Sequence, residues 1–187
     1  MLVEAQRERL LAHAREAATT AARGERPASS PAPAGLERPG AAFVTLHVRG
    51  ELRGCIGTFH ADDSLWVTVR EMATAAATRD PRFRPLGARE LDDLSVEISV
   101  LGPPRRAADP REIEIGRHGL EIRRGRRRGL LLPQVATEND LDRERFLAET
   151  CRKAGLPADA WRDPETELWL FEAQVFRSPR PAQRGGG

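Results

Sequence analysis

The chain has 187 residues, 30 Lys plus Arg against 28 Asp plus Glu, a formal net charge of +2 and 2 cysteines. That length suits one domain or two intimate subdomains, and it lets a chain bury roughly two-thirds of its unfolded surface without staples. The near balance of charge removes a chain-wide counterion-release argument, Cys55 and Cys151 make no disulfide framework or paired zinc knuckle, and no apolar run approaches the ~20 residues that cross a bilayer.

Residues 2–22 read as a helix, with Val3, Leu10, Ala14, Ala17 and Ala21 at helical spacing and Gly24 as its stop. Residues 24–40 carry Pro27, Pro31, Pro33 and Pro39, which predicts a Pro-rich surface connection or mobile loop. Ala42–Arg49 and Glu51–Phe59 read as a hairpin turned at Gly50. Ser64 or Asp63 is placed to cap a helix from Leu65 to Arg79, striped by Leu65, Val69, Met72 and Ala76. Asp80-Pro81 ends it, because the residue before proline avoids the helical region.

A short turn near Ala88–Asp92 leads into the strand Leu94–Leu101. There Val96, Ile98 and Val100 alternate with Ser95, Glu97 and Ser99, which suggests one buried face. His118–Arg123 and Gly129–Leu132 form a second hairpin around Gly125, and Glu138 follows on a loop. Asp140 or Asp142 opens a helix that ends at Gly155, with Phe146, Leu147, Cys151 and Ala154 inward. Thr166–Arg177 reads as a long final strand, and residues 178–187 as a frayed, disordered tail. Hairpins interspersed with helices argue for α+β, with a largely antiparallel sheet and flanking helices.

The most informative segment is Glu51-Leu52-Arg53-Gly54-Cys55-Ile56-Gly57-Thr58-Phe59. Glycine inside a strand marks a bulge or a close approach by backbone or ligand. Arg53 and Cys55 share one face, and a guanidinium beside a thiol favours the reactive thiolate. With a two-residue Arg49-Gly50 turn, Cys55 falls opposite Val44 and Arg53 opposite Leu46. A one-residue slip turns the pair toward the other face.

Leu52-Arg53-Gly54-Cys55-Ile56-Gly57 resembles the signature of the AMMECR domain, known in prokaryotes as AmmeMemoRadiSam system protein A. Further segments resemble the family in its order. They include Phe43-Val44-Thr45-Leu46-His47, Asp80-Pro81-Arg82-Phe83, Gly116-Arg117-His118-Gly119-Leu120, Gly129-Leu130-Leu131-Leu132-Pro133-Gln134-Val135-Ala136 with Glu138, and Cys151-Arg152-Lys153-Ala154-Gly155-Leu156. The resemblance implies one AMMECR-like domain over residues 1–177, made of two intimately packed subdomains with a cleft between them. It also implies two partners, a Memo-like protein and a radical-SAM enzyme. This chain has no Cys-x3-Cys-x2-Cys run and is not itself the radical-SAM component.

Each candidate residue carries a functional and a bland reading. Cys55 is a nucleophile or a packed thiol, with His47, His60 or His118 as distant candidate bases. Arg53 is an anion clamp beside Gly54 and Gly57, or an internal ion pair with Asp80 or Glu138. Asp80 and Arg82 line the same cleft in the resemblance, or form a rigid turn with Phe83 as a core plug. His118 is a base or a metal ligand, with Cys55 and Glu138 as possible co-ligands at no local spacing, or a hydrogen-bonded turn residue. Glu138 is a general base, or a stabiliser of the next helix. No metal-ligand spacing and no cofactor motif is present.

The run Arg123–Arg128 suggests phosphate contact, but it lacks interleaved aromatics and reads first as a solvated turn. Arginine supplies nearly all the positive charge, Lys153 being the single lysine, as codon bias in a GC-rich genome would produce. Three functions follow: a component of the AmmeMemoRadiSam system, a small-molecule enzyme using Cys55 with Arg53 and Glu138, and a nucleic-acid-binding module. The first is preferred. Without an apolar leader near Glu4 and Glu8, the expected compartment is the cytoplasm, with no membrane partner.

Overall fold

A computed structural model describes residues 1–59 and 62–179. The chain divides into two compact units, the first comprising Met1–Val100 with the segment from Gln174 onward, the second Leu101–Ala173. Both are α+β with antiparallel strands.

In the first unit, helix α1 (Glu4–Ala22) buries Leu10, Ala14, Ala17, Ala18 and Ala21. Helix α2 (Leu65–Thr78) answers with Val69, Ala73, Ala76 and Ala77. Alanine-rich faces let two helices approach closely at little side-chain entropy loss. The Ser64 hydroxyl caps α2, accepting from the Val67 N–H at 3.3 Å. Val3, expected in the buried stripe of α1, is instead exposed just before the helix.

Strands β1 (Ala42–Val48), β2 (Glu51–Thr58) and β3 (Leu94–Leu101) lie in the order β2-β1-β3. The β1–β2 turn puts Arg49 at φ 55 and Gly50 at φ 90, the paired left-handed residues that match a hairpin's twist. Arg49 tolerates this because Asp93 ties it down, through a 2.8 Å ion pair and a main-chain bond. Contrary to the alternation in sequence, β3 is buried on both sides: Ser95 and Ser99 are buried beside Val96 and Ile98, while Val100 is only half-buried.

The Pro-rich stretch 24–40 has no helix but is anchored to α2. Leu36 is fully buried, its carbonyl accepts from Trp66, the Arg38 carbonyl accepts from Leu65, and Ser30 accepts from the Trp66 indole. Such ties are incompatible with a freely moving loop.

The second unit contains β4 (Arg105–Ala107), β5 (His118–Arg124), β6 (Arg127–Leu131), α3 (Pro133–Glu138) and α4 (Arg143–Lys153). It also holds most of β7 (Glu167–Arg177), giving the order β4-β7-β5-β6. Its core gathers Ile113, Leu120, Ile122, Phe146, Leu147 and Cys151. Asp142 caps α4 through the Arg145 N–H at 2.8 Å. Two elements differ from expectation. Strand β4 follows Pro103-Pro104 directly, and Glu138 ends a short helix instead of riding on a loop.

The end of β7 returns to the first unit, where Gln174 exchanges two hydrogen bonds with the Leu2 backbone at 2.8 and 3.0 Å. Ser178 donates its N–H to the Val96 carbonyl at 2.8 Å and accepts the Val96 N–H at 2.9 Å. Ser178, expected as the first residue of a tail, is therefore tied to β3. Residues 180–187, the rest of that tail, lie outside the described residues.

Candidate functional site

The signature lies on β2, and a β-bulge sets its geometry. From the turn the ladder pairs Val48 with Glu51 and His47 with Leu52, but Leu46 then pairs with Gly54 and Thr45 with Cys55. Arg53 is the extra residue. The bulge shifts Cys55 from Val44, its simple hairpin partner, to Thr45. Val44 and Leu46 face the helix-covered core, so Thr45 and Cys55 face the opposite way. Thr45 also pairs with Glu97, so Cys55, Thr45 and Glu97 form one row across β2, β1 and β3. The Thr45 hydroxyl donates to the Cys55 sulfur at 3.2 Å. Burial pushes the Cys55 thiol above its ordinary pKa. The Thr45 bond and the Arg82 charge oppose that shift, and the carboxylates of Asp80 and Glu97 reinforce it. The balance of these groups favours the neutral thiol over the thiolate.

Arg53 does not sit on the thiol. Its Nε and Nη2 engage Glu90 at 2.7 and 3.1 Å, while Nη1 and Nη2 donate to the carbonyls of Arg84 and Pro85 at 2.8 and 3.1 Å. The fork that would hold an anion is taken by the chain's own carboxylate and two carbonyls, and the ion-pair partner is neither Asp80 nor Glu138. The hydrogen bond from Arg53 is the chief reason the Glu90 carboxyl lies below its ordinary pKa.

The two signature glycines have equally local explanations. A Cβ on Gly54 would lie 2.2 Å from the backbone oxygen of Ala76, and one on Gly57 2.2 Å from the Phe43 ring. Gly54 admits α2 to the sheet and Gly57 admits an aromatic ring. In each case the chain itself fills the space a ligand was expected to occupy.

Asp80, buried at the end of α2, accepts the Cys55 N–H at 2.8 Å. It also accepts the Arg82 backbone N–H at 3.1 Å and the Arg82 side chain at 3.0 and 2.8 Å. The Arg82 guanidinium is the main cause holding the Asp80 carboxyl far below the usual carboxylate range. Arg82 also reaches the Cys55 carbonyl, weakly, at 3.5 Å. Phe83 is half-buried, not a core plug, with the Arg82 and Arg53 guanidiniums 5.3 and 6.0 Å from its ring centroid.

His118 and Glu138 belong to the second unit. The buried His118 accepts the Glu114 N–H on Nδ1 at 3.1 Å and returns its own N–H to the Glu114 carbonyl at 2.9 Å, which closes the turn before β5. Glu138 is exposed at the end of α3. The second unit also has a cavity of about 520 Å³, lined by Arg106, Trp161, Arg162 and Thr166 among others and by no residue the sequence singled out. In the arginine-rich hairpin, Arg123 pairs with Glu121 and covers the Trp169 ring, Arg124 pairs with Asp163, and Arg127 donates to the Gly155 carbonyl. His60 lies outside the described residues. Among the described residues, no group of three or more His, Cys, Asp or Glu is arranged to hold a metal, and no helix is long and apolar enough to cross a membrane.

The AMMECR1 family model matches residues 11–176. The chain belongs to the AMMECR1 family. A protein of Methanothermobacter thermautotrophicus is 52% identical over 140 residues, covering 72% of this chain and 73% of that protein. A Methanosarcina acetivorans protein is 47% identical over 144 residues, covering 74% and 72%. The crystal structure of the uncharacterized protein PH0010 from Pyrococcus horikoshii superposes with a TM-score of 0.89 at 38% identity, covering 96% of this chain and 95% of that one.

For this AMMECR1-family chain, sequence reasoning missed Glu90, Thr45, Phe43 and the Ala76 carbonyl, the groups that engage the signature. Glu90 alone left a local signal. It lies three residues after Gly87 and takes the Gly87 N–H at 2.8 Å, the spacing of a capping carboxylate.

Proposed function

We propose that this chain is the AMMECR-family component of the AmmeMemoRadiSam system, working in the cytoplasm with a Memo-like protein and a radical-SAM enzyme, and that it binds and presents instead of reacting. The family signature is what supports the partnership. The role follows from how the signature's groups are used. The observation that carries it is the engagement of Arg53 with Glu90, Arg84 and Pro85, which leaves its fork no outward task. A raised thiol pKa at Cys55 supports the same reading, since nucleophilic catalysis needs the thiolate. On the sheet face opposite the helices, Cys55, Thr45 and Glu97 form a row of half-buried groups, Glu97 held by Arg177, with Arg82 beside it.

The test is direct binding of the purified chain to the Memo-like protein and the radical-SAM enzyme of the same cell, followed by sedimentation velocity. A complex is expected, and a folded Cys55→Ala protein should form it as well. A chain that sediments alone with both proteins would remove the assignment. A complex that needs the thiol would return Cys55 to a chemical role.

A further inference from the structure

We propose that the loop from Arg79 to Glu90 is a docking surface for an acidic segment of a partner protein, a proposal that rests on the binding role above and names the chemistry of its partner. Arg79, Arg82, Arg84 and Arg89 are all exposed on this loop. Its only acids, Asp80 and Glu90, turn inward. Asp80 is occupied by Arg82 and the Cys55 N–H, Glu90 by Arg53 and the Gly87 N–H. Among the described residues, Arg79, Arg84 and Arg89 form no ion pair, Arg84 acting on Glu90 only from beyond that range. Some surface arginines elsewhere find carboxylates, as Arg49 does with Asp93, Arg111 with Asp109 and Arg117 with Glu114 and Glu172, whereas this loop gathers three exposed arginines without one within twelve residues.

The backbone that carries these charges is already ordered. Arg53 holds the Arg84 and Pro85 carbonyls, Leu86 is buried and donates to the Ala77 carbonyl at 2.7 Å, and Phe83 donates to the Asp80 carbonyl at 3.1 Å. A partner therefore meets guanidiniums on a preformed frame, with little ordering entropy to lose in the main chain. Arginine's planar fork suits side-chain carboxylates, and charge of one sign steers an oppositely charged segment. A nucleic acid fits less well. The loop's one aromatic, Phe83, is half-buried with two guanidiniums near its ring, a poorer stacking platform than an exposed aromatic surface.

Fluorescently labelled octaglutamate serves as the probe, read by anisotropy with the full chain at low salt and at about 150 mM salt. Binding should weaken with salt, and the triple variant Arg79→Glu, Arg84→Glu, Arg89→Glu should raise Kd at least about tenfold. If that variant melts early, the triple Arg→Gln protein replaces it, with the same direction expected. Equal affinity of a folded variant and the parent would overturn the proposal. Tighter, arginine-dependent binding of an oligothymidylate of equal charge would overturn it in favour of nucleic acid. Loss of octaglutamate binding in the variant, together with parent protein that ignores both system partners, would uphold this surface and remove the system assignment.

Discussion

Arg53 and Glu90 meet through two N–H···O bonds, Nε to Oε1 at 2.7 Å and Nη2 to Oε2 at 3.1 Å, and the side chains are 13% and 21% exposed. The same guanidinium holds two carbonyls of the following loop, so one side chain fastens β2 to a segment more than thirty residues further on.

Arg53→Lys keeps the charge and loses the fork. It should lower stability by about 1–3 kcal/mol, because an ammonium cannot serve a carboxylate and two carbonyls from one plane. Thermal melts check this, and a melting temperature equal to the parent's would show that the pairs are incidental.

Gly54→Ala and Gly57→Ala should differ in severity. The Gly54 methyl meets the Ala76 carbonyl of a helix that cannot yield locally, while the Gly57 methyl meets a side chain that has rotamers to try. Both proteins should lose stability, Gly54→Ala by about 3 kcal/mol or more and Gly57→Ala by less, as read from urea unfolding midpoints. The reverse order would contradict the packing described for the signature.

Asp80 gives a pH signature. Its folded pKa lies below the unfolded value of about 3.9, so its contribution to stability is present above that value and is lost as pH falls through the folded pKa. Asp80→Asn should therefore be less stable than the parent at neutral pH, and the difference should shrink below about pH 4. Denaturant unfolding between pH 7 and pH 2 measures it. A difference that stays constant over that range would mean the charge of Asp80 is not what matters.

The Cys55 thiol should alkylate slowly. Its pKa is raised, so the pH of half-maximal iodoacetamide labelling should lie above the ordinary cysteine value of about 8.5, followed by mass spectrometry of the Cys55 peptide. Fast labelling at neutral pH would instead reveal a thiolate. Cys55→Ser should keep the Thr45 interaction in altered form and leave partner binding intact in folded protein.

Much of this architecture is legible from the sequence because its signals are local. Gly50 marks the β1–β2 turn, Ser64 caps α2, Asp80-Pro81 stops it, and Asp142 opens α4. The family is legible for the same reason, since its signature is contiguous. The glycines and the possible one-residue slip mark a bulge as one option, but its position at Arg53 is not legible, because it depends on which residues of β1 and which distant carboxylate compete for that side chain. Gly54 and Gly57 announce a close approach in sequence, but the neighbour, a turn of α2 or the ring of Phe43, exists only after folding. Helix α3 escaped because six residues carry too little periodicity, although Pro133 at its first turn is a usual helix start.

The pairing of Asp80 and Arg82 with the Cys55 peptide also bears on how these molecules behave toward one another. Among the described residues of the first unit β2 borders only β1, so the Cys55 N–H and carbonyl would otherwise project sideways as a template for a foreign strand. A carboxylate and a guanidinium, anchored on the turn after α2, stand where that strand would lie. Removing them should expose the edge, so an Asp80→Ala protein would be expected to aggregate at concentrations where the parent stays dispersed. In that sense the Asp-Pro-Arg turn protects the colloidal behaviour of the chain as much as its fold.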